Sequence, residues 1–212
     1  MEKEEMFNKT GTTTIAIVCK DGVVLAADRR MTMGYMIAGK KFQKISILNE
    51  DTAITMAGLV SDAQLLIKII KAQIRLDTIR RNKKPSTKEV ANLVGSLVYG
   101  NIRKFSAVQG IVGFILAGRD EKGYHVYDIG VDGSVTEQDE YHSDGSGSVF
   151  ALGVLESSYN KDISIDEGIK LGLKALNAAL QRDIASGSGY DIITITKDGV
   201  KKVLEKEVKF TV

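Results

Sequence analysis

The sequence has one cysteine, one proline, two histidines and no tryptophan in 212 residues. A lone cysteine, Cys19, forms no internal disulfide, which suits a reducing compartment. Cys19, His125 and His142 are the whole stock of Cys and His. That excludes zinc fingers and iron–sulfur clusters and disfavours a multi-histidine metal site, so no metal or cofactor is expected. Charge of one sign is also lacking. With 29 Lys+Arg against 27 Asp+Glu the formal net charge is +2, too little to draw nucleic acid or an anionic membrane from a distance. No stretch approaches the about 20 apolar residues of a membrane span; the best run, 111–117, is interrupted by Gly113. The opening MEKEEMFNKTGTTT is acidic and polar, without the apolar core of a secretory signal. A soluble, cytoplasmic chain is expected, with any catalysis left to Thr, Ser, Lys and carboxylates.

What is present is ordinary for a globular protein: 43% hydrophobic and 26% charged residues, enough for one domain with a real core. Residues 12–19 and 23–28 are β-rich and joined by Lys20-Asp21-Gly22, which reads as a tight hairpin. Further strands are expected at 35–38, 44–48 and 52–57. From Ser61 the period changes, and Leu65, Leu66, Ile69, Ile70, Ile74 and Leu76 are expected on a buried helical face. Lys83-Lys84-Pro85 ends that helix, and the capping box Ser86-Thr87-Lys88-Glu89 opens another. Strands return at 111–118, 124–129 and near Val135. The loop 143–148 leads into a helix through Leu155. A second capping box, Ser164-Ile165-Asp166-Glu167, starts a helix to about Arg182, and alternation resumes at 191–196 before the turn Lys197-Asp198-Gly199. Two helix pairs and two groups of strands predict an α+β domain with helices outside two packed sheets.

Familiar catalytic signatures are missing: no Gly-x-Ser-x-Gly elbow, no phosphate loop ending in Gly-Lys-Ser/Thr, no His-Glu-x-x-His. Cys19 lies in an apolar strand and reads as a small buried hydrophobe. Lys68, Lys71, Arg75, Arg80 and Arg81 read as a solvated or subunit-facing helix surface, because aromatic interleaving is absent. Gly145-Ser146-Gly147-Ser148, taken alone, is a flexible entry to a helix, and Thr12-Thr13-Thr14 alone is a run of β-formers.

Taken together, in order along the chain, these pieces say more. Gly11-Thr12 opens the first strand, Asp28-Arg29-Arg30 ends its partner, and Lys44 stands 32 residues after Thr12. Ala57-Gly58, Gly145-Ser146-Gly147-Ser148, Leu155-Glu156-Ser157 and Arg182-Asp183-Ile184-Ala185-Ser186-Gly187 follow. From Thr12 to about Thr196 the sequence resembles the β-subunits of proteasomes, most closely the archaeal type, within the N-terminal-nucleophile hydrolases. The resemblance implies a four-layer αββα sandwich. It also implies that residues 1–11 are a propeptide removed by self-cleavage between Gly11 and Thr12, leaving 12–212 as a single peptidase domain.

By the same resemblance Thr12 is the nucleophile, with its freed α-amino group as base. Lys44 favours the ionised hydroxyl, and Asp28 is expected to keep Lys44 charged and raise its pKa. Gly58 supplies the oxyanion-hole N–H, while Ser146, Asp183 and Ser186 orient the Thr12 amine and hydroxyl. Glycine before the cut fits the strained backbone of an acyl shift. The pocket positions fall on Met31, Phe42, Ser46, Met56 and Val60, an apolar set implying cleavage after large hydrophobic residues. One departure is Gly187-Ser188-Gly189, where many relatives carry consecutive glycines. Implied partners are β-subunits in a seven-membered ring, a second β-ring, α-subunit rings, regulatory ATPase caps acting through them, and unfolded polypeptide substrates. No nucleic acid and no membrane is implied. The competing reading is a structural ring subunit that supports an active paralogue.

Overall fold

The structure, a computed structural model, describes residues 11–207. Residues 1–10 of the expected leader, and residues 208–212, lie outside the described residues. Strands β1 (Thr14–Cys19) and β2 (Gly22–Asp28) form the predicted hairpin, paired from Thr14↔Ala27 to Cys19↔Gly22. On β2's other side lies β12 (Gly189–Thr196), followed by β13 (Gly199–Glu207), and β11 (Tyr141–Asp144) flanks β1. The second sheet runs β10 (Val135–Gln138), β9 (Gly123–Ile129), β8 (Val112–Asp120), β6 (Thr52–Thr55) and β5 (Ile45–Ile47). The two-residue β7 (Ala57–Gly58) pairs with β8, and a small hairpin joins β3 (Met31–Met33) to β4 (Met36–Gly39).

Alternation along β1 and β2 sorts their side chains to two faces. Ile15, Ile17, Val24 and Ala26 pack under α3 (Ser148–Ser158) and α4 (Ile165–Arg182), with Leu155, Leu171, Ala175 and Leu176. Ala16, Val23, Leu25 and Ala27 face the other way and meet Ile45, Ala53, Ile115, Ala117 and Val126 of the second sheet. The far face of that sheet, with Ile54, Phe114, Leu116 and Ile129, is covered by α1 (Val60–Arg81) and α2 (Thr87–Ile102). Three apolar interlayers therefore hold four layers, helix–sheet–sheet–helix, as predicted. Both capping boxes form: Ser86 with Glu89 starts α2, and Ser164 with Glu167 starts α4.

Three local expectations change. The buried stripe of α1 is Ala63, Leu66, Ile67, Ile70 and Ile74, whereas Leu65, Ile69, Leu76 and Ile79 are 50%, 40%, 46% and 70% exposed. The helix thus carries two apolar stripes and the domain covers one. Residues 31–33, not predicted as a strand, pair with β4. Ser143 and Asp144, expected in a loop, end the strand Tyr141–Asp144, whose polar residues obtain partners from β1 by edge pairing, Thr14↔Asp144 to Ile17↔Tyr141. Among the described residues no helix is long and apolar enough to cross a membrane.

Cys19 ends β1 with 4% exposure, and its Sγ lies where a Cβ on Gly168 of α4 would come within 2.6 Å. Burial, with Asp21 and Glu167 nearby, pushes the thiol up to about 12. Because the thiolate is the reacting species, a disulfide reagent at pH 8 will modify the native chain at least about a hundredfold more slowly than the unfolded one, followed by thiol titration.

Candidate active site

The site begins where β2 ends. Asp28 is fully buried, and a carboxylate there is tolerable only when its oxygens are saturated with donors. Oδ1 accepts from the Thr13 amide at 2.9 Å and from Lys44 Nζ at 2.6 Å; Oδ2 accepts from the amides of Arg30 and Gly187, each at 3.0 Å. Lys44 immediately precedes β5 and is itself 2% exposed. Burial lowers its pKa below the ordinary lysine value, and the opposing pull of Asp28 does not overcome this. The sequence-based expectation of a raised pKa is thus corrected: the ion pair offsets part of the desolvation cost, and the ammonium is a readier proton donor than a surface lysine.

The ammonium also reaches the chain before Thr12, for Lys44 Nζ donates to the Gly11 carbonyl at 2.8 Å. Thr12 Oγ1 donates to that same oxygen at 2.7 Å. The Thr12 amide donates to Ser146 Oγ at 3.2 Å, in the loop that opens α3, and Gly147 N–H donates to the Thr12 carbonyl at 3.2 Å. Asp183, at the end of α4, draws two loops together: its Oδ2 accepts from Ser146 Oγ and from Ser186 Oγ, both at 2.6 Å. Ser186 Oγ in turn lies 2.7 Å from Thr13 Oγ1. Thr12, Asp28, Lys44, Ser146, Asp183 and Ser186, scattered from residue 12 to residue 186, are therefore one connected hydrogen-bonded cluster. Ser186 touches Thr13 rather than Thr12.

Beside the cluster opens a cleft lined by Thr12, Lys44, Gly58, Met31, Phe42, Met56 and Val60, with Gly11, Arg30 and Thr32. Met31, Phe42, Met56 and Val60 give it an apolar wall, and among the described residues no carboxylate lines it. Ser46, expected in this pocket, is not among the lining residues; it lies on β5 opposite Ile54. Gly58 has φ +116°, and a Cβ there would sit 2.9 Å from Val112 Cα, so the strand turns past the cleft only with glycine. Among the described residues no cluster of His, Cys, Asp or Glu is arranged to hold a metal ion.

Sequence reasoning missed several participants. Thr32 Oγ1 accepts from the Gly11 amide at 2.8 Å. Arg30 Nη1 donates to the Ile184 carbonyl at 2.7 Å and pins the loop after α4. Asp144, which begins the turn to Ser146, bonds the Gly145 amide at 2.6 Å, and burial pushes its carboxyl above the usual range. Only Arg30 had a signal, its place two residues after Asp28. Thr32 and Asp144 look like ordinary strand and turn residues until the fold brings them near.

Comparison with known proteins gives the family. The family model described as proteasome subunit matches residues 8–195. The chain is 40% identical over 198 residues to the proteasome subunit beta of Archaeoglobus profundus, covering 93% of this chain and 90% of that one. It is 41% identical over 199 residues to that of Ferroglobus placidus, covering 94% and 93%, and 44% identical over 192 residues to that of Haloferax volcanii, covering 91% and 76%. A sandwich of this topology, a family match over nearly its whole length and relatives at this identity lead to one conclusion: the chain belongs to the proteasome subunit family, alongside the β-subunits of archaea.

Proposed function

We propose that the chain is a catalytic β-subunit, a threonine endopeptidase that activates itself by cutting between Gly11 and Thr12. The observation that carries this reading is the Gly11 carbonyl, whose oxygen accepts from both Thr12 Oγ1 and Lys44 Nζ. The hydroxyl stands beside the bond to be cut, and the ammonium stands where negative charge develops when that hydroxyl attacks the carbonyl carbon. Of the three consecutive threonines only Thr12 is so placed: Thr13 Oγ1 pairs with Ser186 and Thr14 Oγ1 with the Asp144 carbonyl.

Attack by Thr12 Oγ1 on the Gly11 carbonyl carbon forms the new C–O bond and releases the hydroxyl proton; collapse breaks the Gly11–Thr12 C–N bond, and the leaving nitrogen takes up that proton and becomes a free amine. Water then hydrolyses the ester and releases the leader. In the mature chain the hydroxyl attacks a substrate carbonyl while the amine accepts its proton and later gives it to the leaving group. Ser146, oriented by Asp183, lies 3.2 Å from the Thr12 nitrogen and positions that amine. Lys44 remains the cation beside the developing charge, held by Asp28. Gly58, on the cleft wall, is assigned the oxyanion N–H. Met31, Phe42, Met56 and Val60 form the pocket for the residue before the scissile bond, and their apolar surface selects large hydrophobic side chains.

Assembly into proteasome rings, with β- and α-subunits as neighbours, belongs to the same reading. The uncovered stripe of Leu65, Ile69, Leu76 and Ile79 on α1 supports it, because a monomer gains nothing by exposing such a surface.

Three outcomes test the proposal. In assembled particles, Thr12→Ala will leave the leader attached by intact mass and reduce peptidase activity by at least about a thousandfold; an active, processed T12A particle would refute the nucleophile. Peptides with a large hydrophobic residue before the cleaved bond will be cut at least about tenfold faster, by kcat/KM, than those with acidic or basic residues. The kcat/KM will fall about tenfold per pH unit once the pH drops below the pKa of the freed Thr12 amine, since only the neutral amine accepts the proton.

A further inference from the structure

Resting on self-cleavage at Gly11–Thr12, a second question is why the cut falls at that bond within the run Thr10-Gly11-Thr12-Thr13-Thr14. The Gly11 Cα lies against Ala185 in the loop after α4. A Cβ built on Gly11 overlaps the Ala185 Cβ outright and comes within 2.6 Å of both the Ala185 Cα and its carbonyl oxygen. Such an overlap is relieved only by moving backbone. This stretch of backbone is held on both sides. The Ala185 amide donates to Asp183 Oδ1 at 3.1 Å, the preceding Ile184 carbonyl accepts from Arg30 at 2.7 Å, and the following Ser186 amide donates to the Asp183 carbonyl at 3.2 Å. Ser186 is fully buried.

We infer that Ala185 selects the register of self-cleavage, by admitting only glycine at the position before the nucleophile. If the chain slid so that the Thr13 hydroxyl attacked, Thr12 would occupy the place of Gly11 and its Cβ would enter Ala185. If it slid the other way, Gly11 would stand at the attacking position and offer no hydroxyl. Only one register presents both a hydroxyl to the scissile carbonyl and a bare Cα to the wall. The Ala185 amide bonds Asp183 rather than a reacting atom. Ala185 is a positioning residue, and its action on the carbonyl is steric, through Gly11.

A double-mutant cycle on full-length precursor tests this, with leader removal timed by intact mass. Gly11→Ala will slow removal by about tenfold or more. Ala185→Gly on the natural junction will change the rate less than about threefold. Combined with Gly11→Ala, it will recover at least about threefold of the lost rate, a partial rescue because the Ala185 Cα and carbonyl still crowd the added methyl. A structural defect in the loop would instead make the double variant slower than either single one. Thermal unfolding of the Thr12→Ala forms of each precursor, which stay uncut, will verify that all are folded. An unimpaired Gly11→Ala precursor, or additive losses without rescue in folded protein, overturns the role of Ala185. Failure of the unsubstituted precursor to yield a chain beginning at Thr12 would instead overturn self-cleavage itself.

Discussion

A carboxylate sealed from water sets the terms for the rest of the molecule. Asp28 has four donors on two oxygens, three from backbone amides and one from Lys44. Each amide belongs to a different stretch of chain: the segment entering β1, the turn leaving β2, and the loop leading into β12. Removing any of them would leave buried charge short of a partner, at a cost of about 1–3 kcal/mol or more. Solvating this one ion thus holds three separate segments of chain together beside Thr12. The string Asp28-Arg29-Arg30 extends the arrangement in three directions. Asp28 turns to the site, Arg30 to the loop after α4, and Arg29, also buried, to Asp191 and Glu205 of the last two strands.

Much of the architecture was legible because its signals are local. The β-rich runs of β1 and β2, the alternation in β12 and the serine–glutamate boxes before α2 and α4 act over a few residues. What escaped depends on distant partners. β3 and β11 are three and four residues long, and β11 is polar enough that only its pairing with β1 makes it a strand. On α1 the sequence offered two apolar stripes, and no local rule says which one the second sheet will cover.

The site shows the same division. The family resemblance singled out Thr12, Asp28 and Lys44, and the fold links them, Lys44 bonding Asp28 directly and meeting Thr12 at the Gly11 carbonyl, but the sign of the Lys44 shift differs from the sequence-based expectation. A sequence displays the opposite charge that raises a lysine's pKa and hides the burial that lowers it. Thr32 and Ala185 were invisible because one acts by accepting a backbone hydrogen bond and the other by filling space.

Asp183 closes α4, Gly147 precedes the first turn of α3, and a single carboxylate oxygen of Asp183 receives both Ser146 and Ser186. The two helices of one outer layer are therefore tied at the point where they meet the Thr12 segment. Sliding either helix along its axis by an ångström would lengthen a bond of 2.6 Å past useful range. The placement of the Thr12 nitrogen and hydroxyl is thereby calibrated by the packing of a whole layer, so that loosening the layer and displacing Thr12 are one mechanical event.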